Sequence, residues 1–173
     1  MRGSILALFL LGGIGCSTLH IKKPVSCDSA ALLKFQDADQ IILYSLYPSE
    51  VRNLVMDKRP ESERLIGLPE FHEFPVFGTV RLSDSAQVTS WATTLQTALV
   101  DRPESVCDFM PRHGVRIIHQ GLVTDFLMCF TCGDMVVWTE QSRAEMHHPV
   151  WTKKVRNRMN ALFDQHQIER DIP

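Results

Sequence analysis

The stretch from Cys107 to Trp138 constrains the fold most, because apolar strand-like runs alternate there with glycine-containing turns. Val115 to His119 is one such run, and Gln120-Gly121 is a turn signal before the next, Leu122 to Phe130. Side chains alternate across a strand, and both faces of this second run are largely apolar, which is typical of a central strand. A Cys-x-x-Cys-Gly turn then leads into a third run. We therefore expect antiparallel strands joined by tight turns.

The same stretch contains the residues of a possible zinc site. A Cys-x-x-Cys-Gly turn can direct two thiolates at one ion, and a tetrahedral site needs two further ligands from the preceding turn. The predicted set is Cys107, His113, Cys129 and Cys132. In an oxidising compartment these cysteines favour a disulfide instead, from Cys107 to Cys129 or to Cys132, and we place this alternative slightly ahead of the metal.

Two other types of cysteine chemistry fit the pattern less well. Redox-active Cys-x-x-Cys pairs obtain their low thiol pKa at a helix N-terminus, whereas a strand is expected to follow Cys132. Phosphatase-type loops use Cys-x5-Arg, and Cys107 to Arg112 is one residue shorter. Neither reaction class is favoured.

A second hypothesis makes the Pro-Arg-His-Gly turn an active site. Arg112 would bind an anion, His113 would act as acid or base, and Asp125 would orient the histidine, around a metal or a reactive thiol. It predicts an open pocket at the turn. Because no spacing here matches a known catalytic constellation, the preferred hypothesis is a non-catalytic structural or binding domain whose cysteine and histidine cluster stabilises its sheet.

The motifs Cys-Asp-Phe-Met-Pro-Arg-His-Gly from Cys107 and Asp-Phe-Leu-Met-Cys-Phe-Thr-Cys from Asp125 resemble a group of bacterial exported proteins. In that group a Cys-Phe-x-Pro-Arg-His-Gly turn precedes an Asp-x-x-x-Cys-Phe-x-Cys strand. Tyr44 to Pro48 and Phe71 to Gly78 resemble the upstream part of the same pattern. One departure is that Asp108 and Phe109 stand where the group has Phe first. The resemblance implies export and no particular activity.

The N-terminal residues independently predict export. Met1 to Gly15 has one early arginine and a short apolar run, as signal peptides do, and it is too short for a membrane span. Gly13-Ile14-Gly15 fits cleavage before Cys16, which would then carry a lipid and anchor the protein to the membrane of the cell envelope. The alternative is a soluble periplasmic or secreted protein. Residues 16–36 would form the tether and N-terminal segment, including a brief possible helix from Ser29 to Phe35.

Residues 37–173 are long enough for one domain with its own core. The formal net charge of −2 predicts neither a nucleic-acid partner nor a polybasic membrane surface.

The remaining elements follow from local patterns. Gln40 to Tyr47 and Pro75 to Leu82 are expected strands, and Asp84 should cap a helix whose apolar residues, including Trp91, face the core. The charged stretch from Glu50 to Glu70 is most simply a solvated loop. Thr139 to Met146 is also expected to be a loop. All the expected elements are Gln40 to Tyr47, Pro75 to Leu82, the Asp84 helix, the three runs after Cys107, and a last helix.

The last helix should open at His147-His148-Pro149. Its apolar stripe is expected to be buried, with Lys153, Lys154, Arg156 and Arg158 in solvent. The paired histidines could bind metal together with His72, but a helix entry that happens to carry histidines is the simpler interpretation.

The predicted order β-β-α-β-β-β-α indicates an α+β domain. We expect an antiparallel sheet of about five strands, with the helices packed on one face. A parallel arrangement of the strands before and after the first long helix is the alternative.

Overall fold

The computed structural model describes residues 37–56, 60–96, 107–139, 145–147 and 153–171. The predicted signal peptide, Cys16, the tether and the possible helix from Ser29 to Phe35 lie outside these ranges. In the part of the chain that is described, no helix is long and apolar enough to cross a membrane.

One antiparallel sheet forms the centre of the molecule, and the predicted α+β class is confirmed. Its strands follow the spatial order β2-β3-β1-β4-β5-β6-β7. The five predicted strands are present, and two short ones, β2 and β7, add to them. The strands are β1 (Gln40–Leu46), β2 (Glu70–Phe71), β3 (Phe74–Leu82), β4 (His113–His119), β5 (Leu122–Cys129), β6 (Asp134–Thr139) and β7 (Glu145–His147).

Four helices accompany the sheet in the described ranges: α1 (Val51–Met56), α2 (Pro60–Leu65), α3 (Ser85–Gln96) and α4 (Lys153–Gln165). The predicted cap of α3 is confirmed, since the Gln87 backbone N–H donates to Asp84 Oδ1 at 2.9 Å.

The prediction that Glu50 to Glu70 forms a loop is wrong, because α1 and α2 occupy most of this stretch. Leu54 and Leu65 are each 2% exposed, so both short helices bury an apolar anchor that the surrounding charges obscure in the sequence. The loop predicted from Thr139 to Met146 likewise contains part of β7.

Strand β1 lies between β3 and β4 and is antiparallel to both. Strands β3 and β4 therefore run in the same direction, with α3 between them in the chain, but they are not neighbours. The alternative, in which the strands before and after α3 are parallel, thus describes the direction of β3 and β4, while every directly paired set of strands in the described sheet is antiparallel. Two-residue turns suit antiparallel hairpins, and Gln120 and Gly121, with φ of 49° and 80°, make such a turn between β4 and β5.

The two faces of the sheet bury different side chains. One face packs against α3 and α4 around fully buried residues such as Phe126 and Phe163. The opposite face holds a smaller apolar cluster that includes Phe71 and Leu127. The last helix begins at Lys153, and His147 belongs to β7 rather than to the helix entry. His148 and Pro149 lie outside the described residues.

Candidate functional site

A cavity of about 250 Å³ opens at the Pro-Arg-His-Gly turn, as the active-site hypothesis predicted. We refer to it as the cleft. Its walls come from the turn before β4, the β5–β6 turn, α4 and the segment that follows α4. The lining residues are Met110, Arg112, His113, Phe130, Thr131, Arg156, Asn157, Asn160, Arg170 and Asp171.

Backbone hydrogen bonds hold the Pro-Arg-His-Gly turn in place. The Arg112 N–H donates to the Met128 carbonyl at 3.3 Å, and the Arg112 carbonyl accepts from Leu46 N–H at 3.0 Å. Arg112 thus continues the pairing of β4 with both neighbouring strands by one residue. These bonds fix the backbone from which the Arg112 side chain extends into the cleft wall.

The cleft has an excess of positive charge, since three arginines and one carboxylate line it. Arg112 Nε donates to Asp171 Oδ2 at 2.6 Å. Arg170 donates from Nε and Nη2 to Asp164 Oδ1 at 3.1 and 2.7 Å. Arg156 has no ion-pair partner among the residues that the structure describes. Sequence periodicity placed Arg156 in solvent, but its side chain is half-buried at the cleft.

His113 forms the buried part of the cleft wall and is 7% exposed. Its Nε2 is 2.8 Å from Asn160 Oδ1 on α4, so the neutral ring donates there with an Nε2 proton. Phe130 meets the ring edge-on with centroids 4.8 Å apart. Nδ1 is buried and has no hydrogen-bond partner in the described part of the chain. The wall therefore contains one unsatisfied acceptor.

Burial, helped by the nearby charges of Arg170, Arg112 and Arg156, lowers the pKa of His113 from its ordinary 6.5 to about 4. The hydrogen bond with Asn160 opposes this shift without overcoming it. The imidazole is accordingly neutral at neutral pH. The positive charge of the cleft comes from its guanidinium groups alone.

The structure contains the disulfide alternative and not the zinc arrangement. Cys107 is bonded to Cys132, with Cα atoms 5.7 Å apart. Cys129 is a free buried thiol, and its Sγ accepts the Cys132 backbone N–H at 3.4 Å. His113 turns to Asn160 instead of the sulfurs. No group of three metal-ligating side chains occurs in the described ranges. The sulfurs of Cys107 and Cys132 are bonded to each other and cannot serve as thiolate ligands. The prediction that all four residues bind one zinc ion is therefore wrong.

The disulfide lies beside the cleft. Phe130 and Thr131 are the two residues inside the Cys-x-x-Cys turn, and both line the cavity. Met110, three residues after Cys107, lines it as well. The bond therefore joins the two loops that form one side of the cleft.

Asp125 does not orient His113, contrary to the active-site hypothesis. In the β4–β5 register His113 lies opposite Met128, whereas Asp125 lies opposite Arg116, and these pairs point to opposite faces of the sheet. Arg116 Nε and Nη2 donate to the two oxygens of Asp125 at 2.8 and 2.7 Å. His72 Nε2 lies 2.8 Å from Asp125 Oδ2. Arg112 and His113 reach the cleft together, and Asp125 belongs to a different cluster.

Burial raises the pKa of Asp125, but the hydrogen bonds from Arg116 and His72 outweigh burial and hold that pKa below its usual range. Asp125 is therefore an ionised carboxylate, 4% exposed, with Arg116 as its charged partner. Removing a partner from such a buried ion pair strongly destabilises the folded protein, because the remaining charge is buried without compensation. We interpret this cluster as structural.

The cluster fixes the β2–β3 turn across the second face of the sheet. His72 stacks on Trp138, with ring centroids 4.6 Å apart, and Phe71 stacks on Tyr44 at 4.1 Å. Phe71 also lies against Gly114, where an added Cβ would come within 2.7 Å of its ring. The suggested metal role of His72 with His147 and His148 stays a prediction for those two histidines, because their side chains lie outside the described residues.

A second groove, between α3 and α4, is partly filled by Arg158. Its guanidinium lies over the Trp91 ring at 4.5 Å and donates to the Ser90 carbonyl and hydroxyl at 3.1 and 2.7 Å. Trp91 itself is 3% exposed, which confirms its predicted place in the core. Because these bonds tie up the guanidinium, the groove is a weaker ligand site than the cleft.

Comparison with known proteins found no matching family model, no similar curated protein and no similar solved structure. The resemblance to bacterial exported proteins stays a prediction.

Proposed function

We propose that this chain is an exported cell-envelope protein whose domain binds a small anion in the cleft without transforming it. The observation that carries the proposal is the lining of the cleft, which contains Arg112, Arg156 and Arg170 but one carboxylate, that of Asp171, while Arg170 is also paired with Asp164 outside the lining. Guanidinium groups present planar sets of N–H donors that match carboxylate and phosphate oxygens. A half-enclosed cavity strengthens such interactions, because water screens them less.

The neutral side chains of the cleft support binding of an organic anion. Asn157 and Asn160 add amide donors and acceptors, while Met110 and Phe130 add apolar surface. Ligand sites commonly combine apolar walls with a few convergent polar groups. The cavity is small, so a compact ligand suits it better than a polymer.

Binding is favoured over catalysis by the arrangement around His113. A general base needs a free nitrogen within reach of its substrate and a pKa near the working pH. One nitrogen of His113 is engaged by Asn160, the other is buried, and its pKa lies at about 4. The carboxylate that was expected to orient it points to the other face of the sheet.

Export and anchoring through a lipid on Cys16 belong to the same proposal. They are supported by the apolar N-terminal run and the Gly15-Cys16 junction. The Cys107–Cys132 disulfide agrees with an oxidising compartment, since such bonds are rare in the cytosol. The domain would then bind its ligand on the exported side of the membrane to which Cys16 is attached.

The test is calorimetric titration of the purified protein with benzoate and with neutral benzamide, in low salt. We expect saturable binding of benzoate and none of benzamide. Arg156→Gln should weaken benzoate binding about tenfold or more, because a charge-assisted hydrogen bond contributes roughly 1.5 to 3 kcal/mol.

Arg81→Gln is the matched control. Arg81 is an exposed arginine of β3 outside the cleft, so its removal changes net charge equally and should leave affinity nearly unchanged. Equal losses of benzoate affinity in Arg156→Gln and Arg81→Gln would contradict a specific anion site. Binding of benzamide as tight as that of benzoate would contradict it as well.

A further inference from the structure

We propose that the ligand of the cleft is a small organic acid and that Asp171 is an internal carboxylate that occupies the ligand's place on Arg112. This inference rests on the proposed function and names the chemistry of its ligand. The cleft already contains one bound carboxylate, supplied by the chain itself.

The contact of Asp171 with Arg112 shows which chemistry the cleft accepts. Arg112 Nε and Asp171 Oδ2 are 2.6 Å apart, and both side chains are mostly buried, with 18% and 26% of their surfaces exposed. A charge-assisted hydrogen bond of this length is strong, and a planar carboxylate makes it in the presence of the other cleft residues. An external carboxylate can make the same bond once Asp171 has left.

The segment after α4 does not depend on Asp171 for its position. The Ile168 N–H donates to the Phe163 carbonyl at 2.9 Å, and the Ile168 side chain lies directly on Gly78 of β3. The Ser45 hydroxyl donates to the Glu169 carbonyl at 2.7 Å. These anchors precede Asp171 in the chain, so Asp171 can be replaced on Arg112 while the segment stays docked.

The departure of Asp171 would leave three guanidinium groups around a cavity with no carboxylate in its lining. An incoming carboxylate restores the lost partner of Arg112, and Arg156 offers it a second contact that Asp171 does not use. The competition therefore favours an acid that contacts both Arg112 and Arg156.

The walls define the rest of the ligand. Met110 is 41% exposed and lines the cleft together with Phe130, which packs edge-on against His113, so the acid should carry an apolar group. Inorganic phosphate has no apolar part and would use the arginines alone.

The experiment compares Asp171→Asn with Glu169→Gln in the purified full protein, titrated with benzoate and with inorganic phosphate. Both variants remove one negative charge from the same segment, but Glu169 pairs with exposed Arg64 and does not line the cleft. Asp171→Asn keeps an acceptor oxygen for Arg112, and the exposed Glu169–Arg64 pair contributes little to stability, so both variants should fold.

We expect Asp171→Asn to raise the affinity for benzoate about fivefold or more, because the binding-competent state no longer has to compete with an internal partner. Glu169→Gln should change it less than about twofold. The gain for phosphate should be smaller than the gain for benzoate.

Three results would overturn the inference. Equal affinities of Asp171→Asn and wild type for benzoate would show that Asp171 does not compete. Equal gains in benzoate affinity in both variants would show that the effect comes from net charge alone. A gain in phosphate affinity equal to or larger than the gain in benzoate affinity would contradict the proposal that the ligand is an organic acid. Absence of any saturable anion binding in wild type and both variants would instead overturn the proposed function itself.

Discussion

His113 is a titratable residue that is almost entirely buried, with 7% of its surface exposed. It lies between Phe130 and Phe163, with ring centroids at 4.8 and 5.9 Å, and has the three arginines of the cleft around it. A charged imidazole there would lose its hydration and gain no anionic partner of its own. The folded protein therefore holds this ring neutral over a pH range in which an unfolded chain would protonate it.

The pH dependence of stability follows from that difference. Between pH 6.5 and about 4 the unfolded chain takes up a proton at His113 that the folded protein does not, so stability falls as pH falls through this window. The loss reaches roughly 3 kcal/mol at the acidic end. Urea denaturation at a series of pH values measures it.

His113→Gln should flatten this part of the profile, whatever its effect on absolute stability. His166→Gln, at an exposed position after α4, serves as the control and should leave the profile as in wild type. Parallel profiles for wild type and His113→Gln would show that the ring is not held neutral.

At the scale of elements, the cleft depends on how the turn before β4 and the β5–β6 turn are joined. The disulfide connects Cys107 with Cys132 across 25 positions of sequence, and the cleft residues Met110, Phe130 and Thr131 lie next to its ends. Constraining a loop of that length stabilises the fold by roughly 3 kcal/mol in the chain-entropy account. The bond should therefore support both stability and ligand binding.

We expect Cys107→Ser with Cys132→Ser to lower the free energy of unfolding by roughly 3 kcal/mol and to weaken benzoate binding. The double variant is needed because the free thiol of Cys129 lies beside Cys132 and could pair with it. Guanidinium denaturation and calorimetry measure the two effects.

Reductant provides the control for the disulfide. It should bring wild type to the stability of the double variant and leave the double variant unchanged. A wild type that is insensitive to reductant under denaturing conditions would contradict the role of the bond.

Over the whole molecule, the sequence was most informative where burial follows local periodicity. Alternation identified β4, β5 and β6, and helical spacing placed Val88, Trp91 and Leu95 in the core. It failed where a short element buries a single residue, as α1 does with Leu54 and α2 with Leu65. The missed strands β2 and β7 are two and three residues long, which is too short for a periodic pattern.

The candidate site was predictable only in part, for a related reason. The Pro-Arg-His-Gly turn marked Arg112 and His113 because both residues lie within one short motif. Arg156, Arg170 and Asp171 lie some 40 to 60 positions later, on an amphipathic helix and the segment after it, where charged residues usually face water. Likewise, no local signal joins His72 to Asp125, whose contact spans 53 positions.

Amide proton–nitrogen NMR spectra recorded during a benzoate titration show whether a small anion binds in the cleft. Saturable shifts are expected for Arg112, Asn160 and Asp171, with little change for Arg116 and His72 on the other face of the sheet. Shifts that saturate instead around Arg116 and His72, or no saturable shifts at all, would contradict binding of the anion in the cleft.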